Sequence, residues 1–300
     1  MSRRAILLAG SAVALSAGGV AIAADVYGSD DRPHPKPVPD PLTPLPDIAG
    51  GPTISGTFTS VARLDRPVSW TIAYPPGYQR ASASRPKLPV AVVLHGRHGD
   101  HAYAFGKLLG LDRYLALAMQ QGTAPFALAS VDGGDTYWHR RTTGEDAGEM
   151  VLEEFLPLLG SHGLDLSRVG FLGWSMGGYG SLLLASKLAE RDGSARVAAV
   201  AAESPAVWRT LAESYPVAFD GPADFAENGI YHRLLALKGI PIRIDCGRQD
   251  ALYPVAYEFA RALTPAPAGG YERGGHDLGY WRRTAPGQLA FIGAHFATAR

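Results

Sequence analysis

The sequence predicts an α/β fold: a mostly parallel central sheet with helices on both faces and an antiparallel pair of strands at its start. Two observations carry this expectation. Short, almost continuously apolar runs alternate with helix-patterned segments from Val90 onward, and strands without polar alternation are buried on both faces, as in parallel sheets whose crossovers are helices. One such run, Val169 to Leu172, passes through Gly173-x-Ser175-x-Gly177 directly into an amphipathic stretch from Gly178 to Leu188. A strand that reverses into a helix at one residue crowds its own backbone, and glycines two before and two after that residue relieve the crowding.

Taken in order, Thr53 to Val61 and Val68 to Tyr74 have strand character, and the turn Pro75-Pro76-Gly77 follows the second. They are expected to open the sheet as the antiparallel pair. Val90 to Leu94 is the first buried strand, a helix is expected around Leu108 to Gln121, then a strand from Phe126 to Val131 and a helix from Glu145 to Leu159. The elbow strand and its helix come next. Val197 to Ala202 and Pro241 to Asp245 continue the strand series, and Leu289 to Phe296 forms an apolar C-terminal helix. The interval from residue 205 to 238 is long for one crossover and contains Trp208, Tyr215, Phe219, Phe225 and Tyr231, so a partly helical insertion, a partial lid, is expected there.

A chain of 300 residues with 46% hydrophobic content and 19% charge can bury a substantial core. Its formal net charge is zero and no Lys/Arg block stands out. Nothing supplies the phosphate-neutralising surface of a nucleic-acid binder. At the N-terminus, Arg3-Arg4, the apolar run Ala5 to Val20 and Ala21-Ile22-Ala23 read as an export signal covering residues 1–23, by a general or a twin-arginine route. An uncleaved membrane anchor is the alternative. Proline alternates with polar residues between Asp31 and Pro46, so residues 24–50 are expected as a disordered spacer and residues 51–300 as the folded domain. Cys246 is the only cysteine, which leaves no intramolecular disulfide. These features predict a location outside the cell or at its envelope.

Each strand of the series ends in a residue worth weighing, because ligands of such sheets gather at the carboxyl ends of the strands. A serine hydroxyl needs a base within hydrogen-bond reach, and the base needs a partner that fixes its tautomer. Downstream of Ser175 lie Gly247-Arg-Gln-Asp250, just past a strand, and Gly274-Gly-His276, on a loop before the last helix. Asp250 is preferred as the acid over Asp245, which is still inside the strand run. His276 is preferred over His232, which precedes the acid, and over His295, which sits in the C-terminal helix. The two amide donors for an oxyanion are expected from Met176, at the start of the elbow helix, and from Arg97, after Leu94-His95-Gly96. His95, Trp138 and Trp174 are expected to line the substrate site, with Tyr103, Tyr137 and Trp208 as further aromatic candidates.

From about Ser69 to Phe296 the chain resembles the secreted esterases of α/β-hydrolase type that include esterase D and the mycolyltransferase antigens. The resemblance rests on Leu94-His-Gly96, Val131-Asp-Gly-Gly134 with Tyr137-Trp-His139, Gly173-Trp-Ser-Met-Gly-Gly178, Asp245-Cys-Gly-Arg-Gln-Asp250 and Gly275-His276. It implies hydrolysis of a small-molecule, glycolipid or carbohydrate acyl ester, or transfer of the acyl group to a sugar hydroxyl. Either would pass through a seryl intermediate, with Ser175, Asp250 and His276 as triad and no cofactor. The mycolyltransferases differ in using glutamate as the acid, which sets Asp250 nearer the hydrolases.

Two readings compete with this one. His95-Gly-Arg-His98-Gly-Asp100-His101 has metal-ligating residue types after a strand, but its spacing departs by one residue from that of metallo-hydrolase clusters, so no metal is expected. A non-catalytic envelope protein that uses the cleft for binding is the other.

Overall fold

The computed structural model describes residues 40–78 and 87–297. The export-signal reading of residues 1–23 and most of the spacer lie outside the described residues. Eight strands form one sheet: β1 (Thr53–Ser60), β2 (Arg66–Ala73), β3 (Leu88–Leu94), β4 (Ala127–Val131), β5 (Leu164–Trp174), β6 (Val197–Glu203), β7 (Ile242–Asp245) and β8 (Ala268–Gly270). Their spatial order is β1-β2-β4-β3-β5-β6-β7-β8. β1 and β2 pair antiparallel, from Thr53 opposite Ala73 to Ser60 opposite Arg66, and β2 pairs antiparallel with β4. All remaining pairs are parallel.

Side-chain alternation divides the interior into two cores, one on each face of the sheet. Val90, Val92, Leu94, Val169 and Phe171 point to one, and Ala91, Val93, Leu172 and Trp174 to the other. The first is covered by a helical segment that runs from Ala147–Glu149 through a π-helical turn, Met150–Phe155, to Leu156–Ser161 (together α2), by α3 (Met176–Asp192) and by α5 (Tyr253–Ala262). The second is covered by α1 (Leu111–Gln120) and α6 (Leu278–Ala297). Each fully buried aliphatic or aromatic side chain here stabilises the fold by about 1.5–3 kcal/mol relative to exposure. Among the described residues no helix is long and apolar enough to cross a membrane.

Register sets the stage for a site. Leu94 lies opposite Gly173, Trp174 opposite Glu203 and Glu203 opposite Asp245. The loops that leave β3, β5, β6 and β7 therefore open at one edge of the sheet.

Three findings depart from the sequence expectations. Residues 40–50, counted with the disordered spacer, pack on the domain: Leu45 joins the second core, the Tyr114 hydroxyl donates to Pro44 O at 3.3 Å and Arg282 donates to Thr43 O at 3.0 Å. Helix α5 and the edge strand β8 were not expected. The C-terminal helix is also longer than its apolar part, beginning at Leu278 and containing Pro286. The interval 205–238 is partly helical, with α4 at Pro222–Asn228. Its Trp208, Phe219 and Phe225 are buried in the first core.

Candidate active site

Ser175 stands between β5 and α3 with φ 58° and ψ −121°. This is a conformation that a non-glycine residue occupies only under constraint. The constraint is visible around it. A Cβ on Gly173 would run into the backbone of Gly177, and one on Gly177 into the carbonyl of Leu94. At Gly178 it would lie 2.8 Å from Glu203 O. The elbow thus fits between the ends of β3 and β6 only because three residues lack side chains. Two hydrogen bonds fix it there: Ser175 N–H donates to Glu203 O at 2.9 Å, and Ala206 N–H donates to Ser175 O at 3.2 Å.

The acid and the imidazole arrive on two loops that hold each other. Arg248 N–H donates to Glu272 O at 2.8 Å and Gln249 N–H to Gly274 O at 2.9 Å. Gly247 packs so closely on the Gly274 backbone that no side chain fits between them. This brings Asp250 Oδ2 to 2.8 Å from His276 Nδ1, while Asp250 Oδ1 accepts the Leu252 N–H at 2.8 Å. His276 Nε2 lies 2.9 Å from Ser175 Oγ. A carboxylate only accepts, so Nδ1 carries the proton and Nε2 presents its lone pair to the serine hydroxyl. Asp250 and His276 are 3% and 7% exposed, which shields the relay from competing water while Ser175 remains partly accessible. Trp281 meets the His276 ring edge-on, with centroids 5.1 Å apart.

The loop after β3 passes over the nucleophile. A Cβ on Gly96 would be 3.3 Å from Ser175 Cβ and 3.0 Å from the Trp174 ring. Arg97 follows on that loop, and Met176 opens α3, where the first amides of a helix have no intrahelical acceptor.

The residues expected to line the substrate site pack in the interior around it. His95 is fully buried. Its Nδ1 donates to Gly96 O at 2.7 Å and its Nε2 accepts the Gly133 N–H at 3.0 Å, so the ring is a neutral link between two loops. Burial, the largest influence, lowers its pKa and favours that neutral form. Trp138 is also fully buried and fills the hollow left by Gly133 and Gly180, donating its indole N–H to His95 O at 3.3 Å. Trp174 packs between Tyr103 and Trp281. All three side chains are buried.

Asp245 belongs to a different group. It forms a forked pair with Arg243 at 2.7 and 2.8 Å and accepts the Gly270 N–H at 3.1 Å. Beside it, Glu203 Oε2 accepts from Thr284 and Gln288. Burial first, and the neighbouring Asp245 second, hold the Glu203 carboxyl well above the usual carboxylate range. His232 lies against Phe225, and His295 Nδ1 donates to Phe291 O at 2.8 Å, so neither imidazole is the one beside Ser175. The imidazoles of the His95-to-His101 run are separated as well. His98 pairs with Asp135 at 2.8 Å and His101 bonds the Thr71 hydroxyl at 2.8 Å. No three metal-ligating side chains converge among the described residues.

Sequence reasoning missed the parts of the site that act through contact alone. Trp281 lies five residues after His276, in the part of α6 that precedes the predicted apolar helix. The backbone contribution of Glu203 becomes visible only once β6 lies beside β5.

No protein-family model matches the sequence, and no curated protein matches it. Solved structures are similar in fold. A ferulic acid esterase superposes with a TM-score of 0.66 at 20% identity, covering 82% of this chain and 99% of that one. The fluorophosphonate-binding serine hydrolase F of Staphylococcus aureus gives 0.66 at 19%, covering 82% and 99%. An S-formylglutathione hydrolase from Agrobacterium tumefaciens gives 0.64 at 19%, covering 85% and 99%. At these identities the likeness establishes the architecture, an α/β-hydrolase fold.

Proposed function

We propose that this chain is a serine esterase that hydrolyses carboxylic acyl esters through a seryl acyl-enzyme. The observation that carries the reading is the unbroken relay from Ser175 Oγ to His276 Nε2 at 2.9 Å and from His276 Nδ1 to Asp250 Oδ2 at 2.8 Å. The described neighbours support it, since their own names are those of esterases and hydrolases. Ser175 Oγ attacks the ester carbonyl while its proton passes to His276 Nε2. Asp250 holds the imidazole in orientation and stabilises its positive charge. The backbone amides of Met176 and Arg97 receive the developing oxyanion. His276 then returns the proton to the departing alcohol, leaving the acyl group on Ser175. A water molecule, deprotonated by the same nitrogen, releases the acid and restores the serine.

The test is pre-steady-state hydrolysis of a short-chain p-nitrophenyl ester. A burst of nitrophenolate equal to the enzyme concentration, absent in Ser175→Ala, is expected; linear turnover surviving in Ser175→Ala would refute the reading. Export belongs to the same proposal and rests on Arg3-Arg4, the apolar run Ala5 to Val20 and Ala21-Ile22-Ala23.

A further inference from the structure

We propose that residues 40–46 are a positioning strap for the loop that carries His276, so that turnover depends on a segment whose composition marks it as spacer. This rests on His276 being the proton carrier of the proposed reaction. The strap is anchored at one end on α1, where Leu45 occupies the space left by the missing side chain of Gly110. There the Tyr114 hydroxyl donates to Pro44 O at 3.3 Å, and Arg113 donates to Pro46 O at 3.4 Å.

Its other end grips the first turn of α6. Asp40 N–H donates to Asp277 Oδ2 at 3.2 Å, and Asp277 Oδ1 accepts the Tyr280 N–H at 3.1 Å. The residue that follows His276 thus divides its carboxylate between the strap and the helix start. Thr43 Oγ1 donates to Gly279 O at 2.9 Å. A Cβ on Gly279 would lie 2.8 Å from the carbonyl oxygens of both Asp40 and Pro41, so the two backbones are in direct contact. Arg283 completes the connection: one guanidinium nitrogen pairs with Asp40 at 2.6 Å and another donates to Arg273 O, on the loop leading into His276.

His276 is therefore fastened from two sides. The acid loop holds it through Gly247 and Gly274, and the strap holds its other flank through Asp277 and Arg283. Two flanks are needed because a single anchored side leaves the imidazole free to pivot, and a shift of about 1 Å in a reacting group costs up to roughly 100-fold in rate. Processing that ends before Asp40 preserves the strap, whereas cleavage after Thr43 severs it.

The full-length double variant Asp40→Pro/Thr43→Val removes the amide donor, the carboxylate and the hydroxyl while leaving every residue of the relay in place. Measured well below its melting temperature on a p-nitrophenyl ester, it is expected to lose about 10- to 100-fold in kcat with KM changed less than about twofold. Thr43→Val alone, nearly isosteric, is expected to show a smaller loss of the same kind, and Thr43→Ser to restore wild-type kcat. A lower melting temperature with unchanged kcat in both valine variants would overturn the proposal, since the segment would then only stabilise the fold. A wild-type protein without turnover would instead overturn the esterase reading itself.

Discussion

Two aspartates at one edge of the sheet meet opposite fates, and the difference separates chemistry from architecture. Asp250 faces His276, whereas Asp245 is consumed by Arg243 and the Gly270 amide. Asp250→Asn is expected to lower kcat by about 10⁴-fold, because the amide no longer holds the productive imidazole tautomer. Asp245→Asn is expected to cost far less. Equal losses in a steady-state assay would mean that the acid is misassigned. Glu203 supports a second expectation. Burial, with Asp245 beside it, raises its folded pKa above the unfolded value. The folded state then binds the extra proton, so its contribution is full at low pH and is lost as pH rises through the raised value. Melting temperatures followed from about pH 5 to about pH 8 should fall more steeply for the wild type than for Glu203→Gln; parallel curves would contradict this. Ser175, Asp250 and His276 were legible in the sequence because glycines and strand ends flank them. The burial of His95, Trp138 and Trp174 was not legible, for the converse reason. Residue type and proximity to a strand end do not reveal which way a side chain points, and the hollow made by Gly133 and Gly180 that swallows Trp138 exists only after folding.

At the scale of elements, the elbow is the part most tightly dictated by sequence. Gly177→Ala would push a methyl group into the Leu94 carbonyl. Overpacking of this sort costs about 1–3 kcal/mol, and relief requires moving β3 or α3, each of which carries one side of the site. Differential scanning calorimetry and kcat should fall together in this variant; a wild-type kcat would show that the close approach is not needed. The alternation of β3, β4, β5, β6 and β7 with helices was readable because β3, β4, β6 and the second half of β5 are mostly apolar runs, and β7 alternates Ile242 and Ile244 with Arg243 and Asp245. β8 was not, since Ala268, Gly269 and Gly270 have little strand preference and are strand only by pairing with β7. The start of α6 was hidden by Arg282, Arg283 and Pro286, polar or helix-breaking residues tolerated there because α6 packs on β6 and on α1. The strap was hidden by its prolines, which suit an extended chain whether or not it lies against a surface.

At the scale of the molecule, the sheet's register converts residues distant in sequence into neighbours. Ser175 and His276 are separated by 101 positions, yet their side chains are in hydrogen-bond contact. The same architecture recurs in solved structures at 20% identity or less, in keeping with the tolerance of hydrophobic cores to substitution when volume and patterning are kept. The most direct test of the relay is the intact mass of the protein after reaction with a fluorophosphonate. One adduct per chain is expected, mapped by peptide sequencing to Ser175, absent in Ser175→Ala and formed at least about 10³-fold more slowly in His276→Ala. An adduct on another residue, or undiminished labelling of Ser175→Ala, would contradict it.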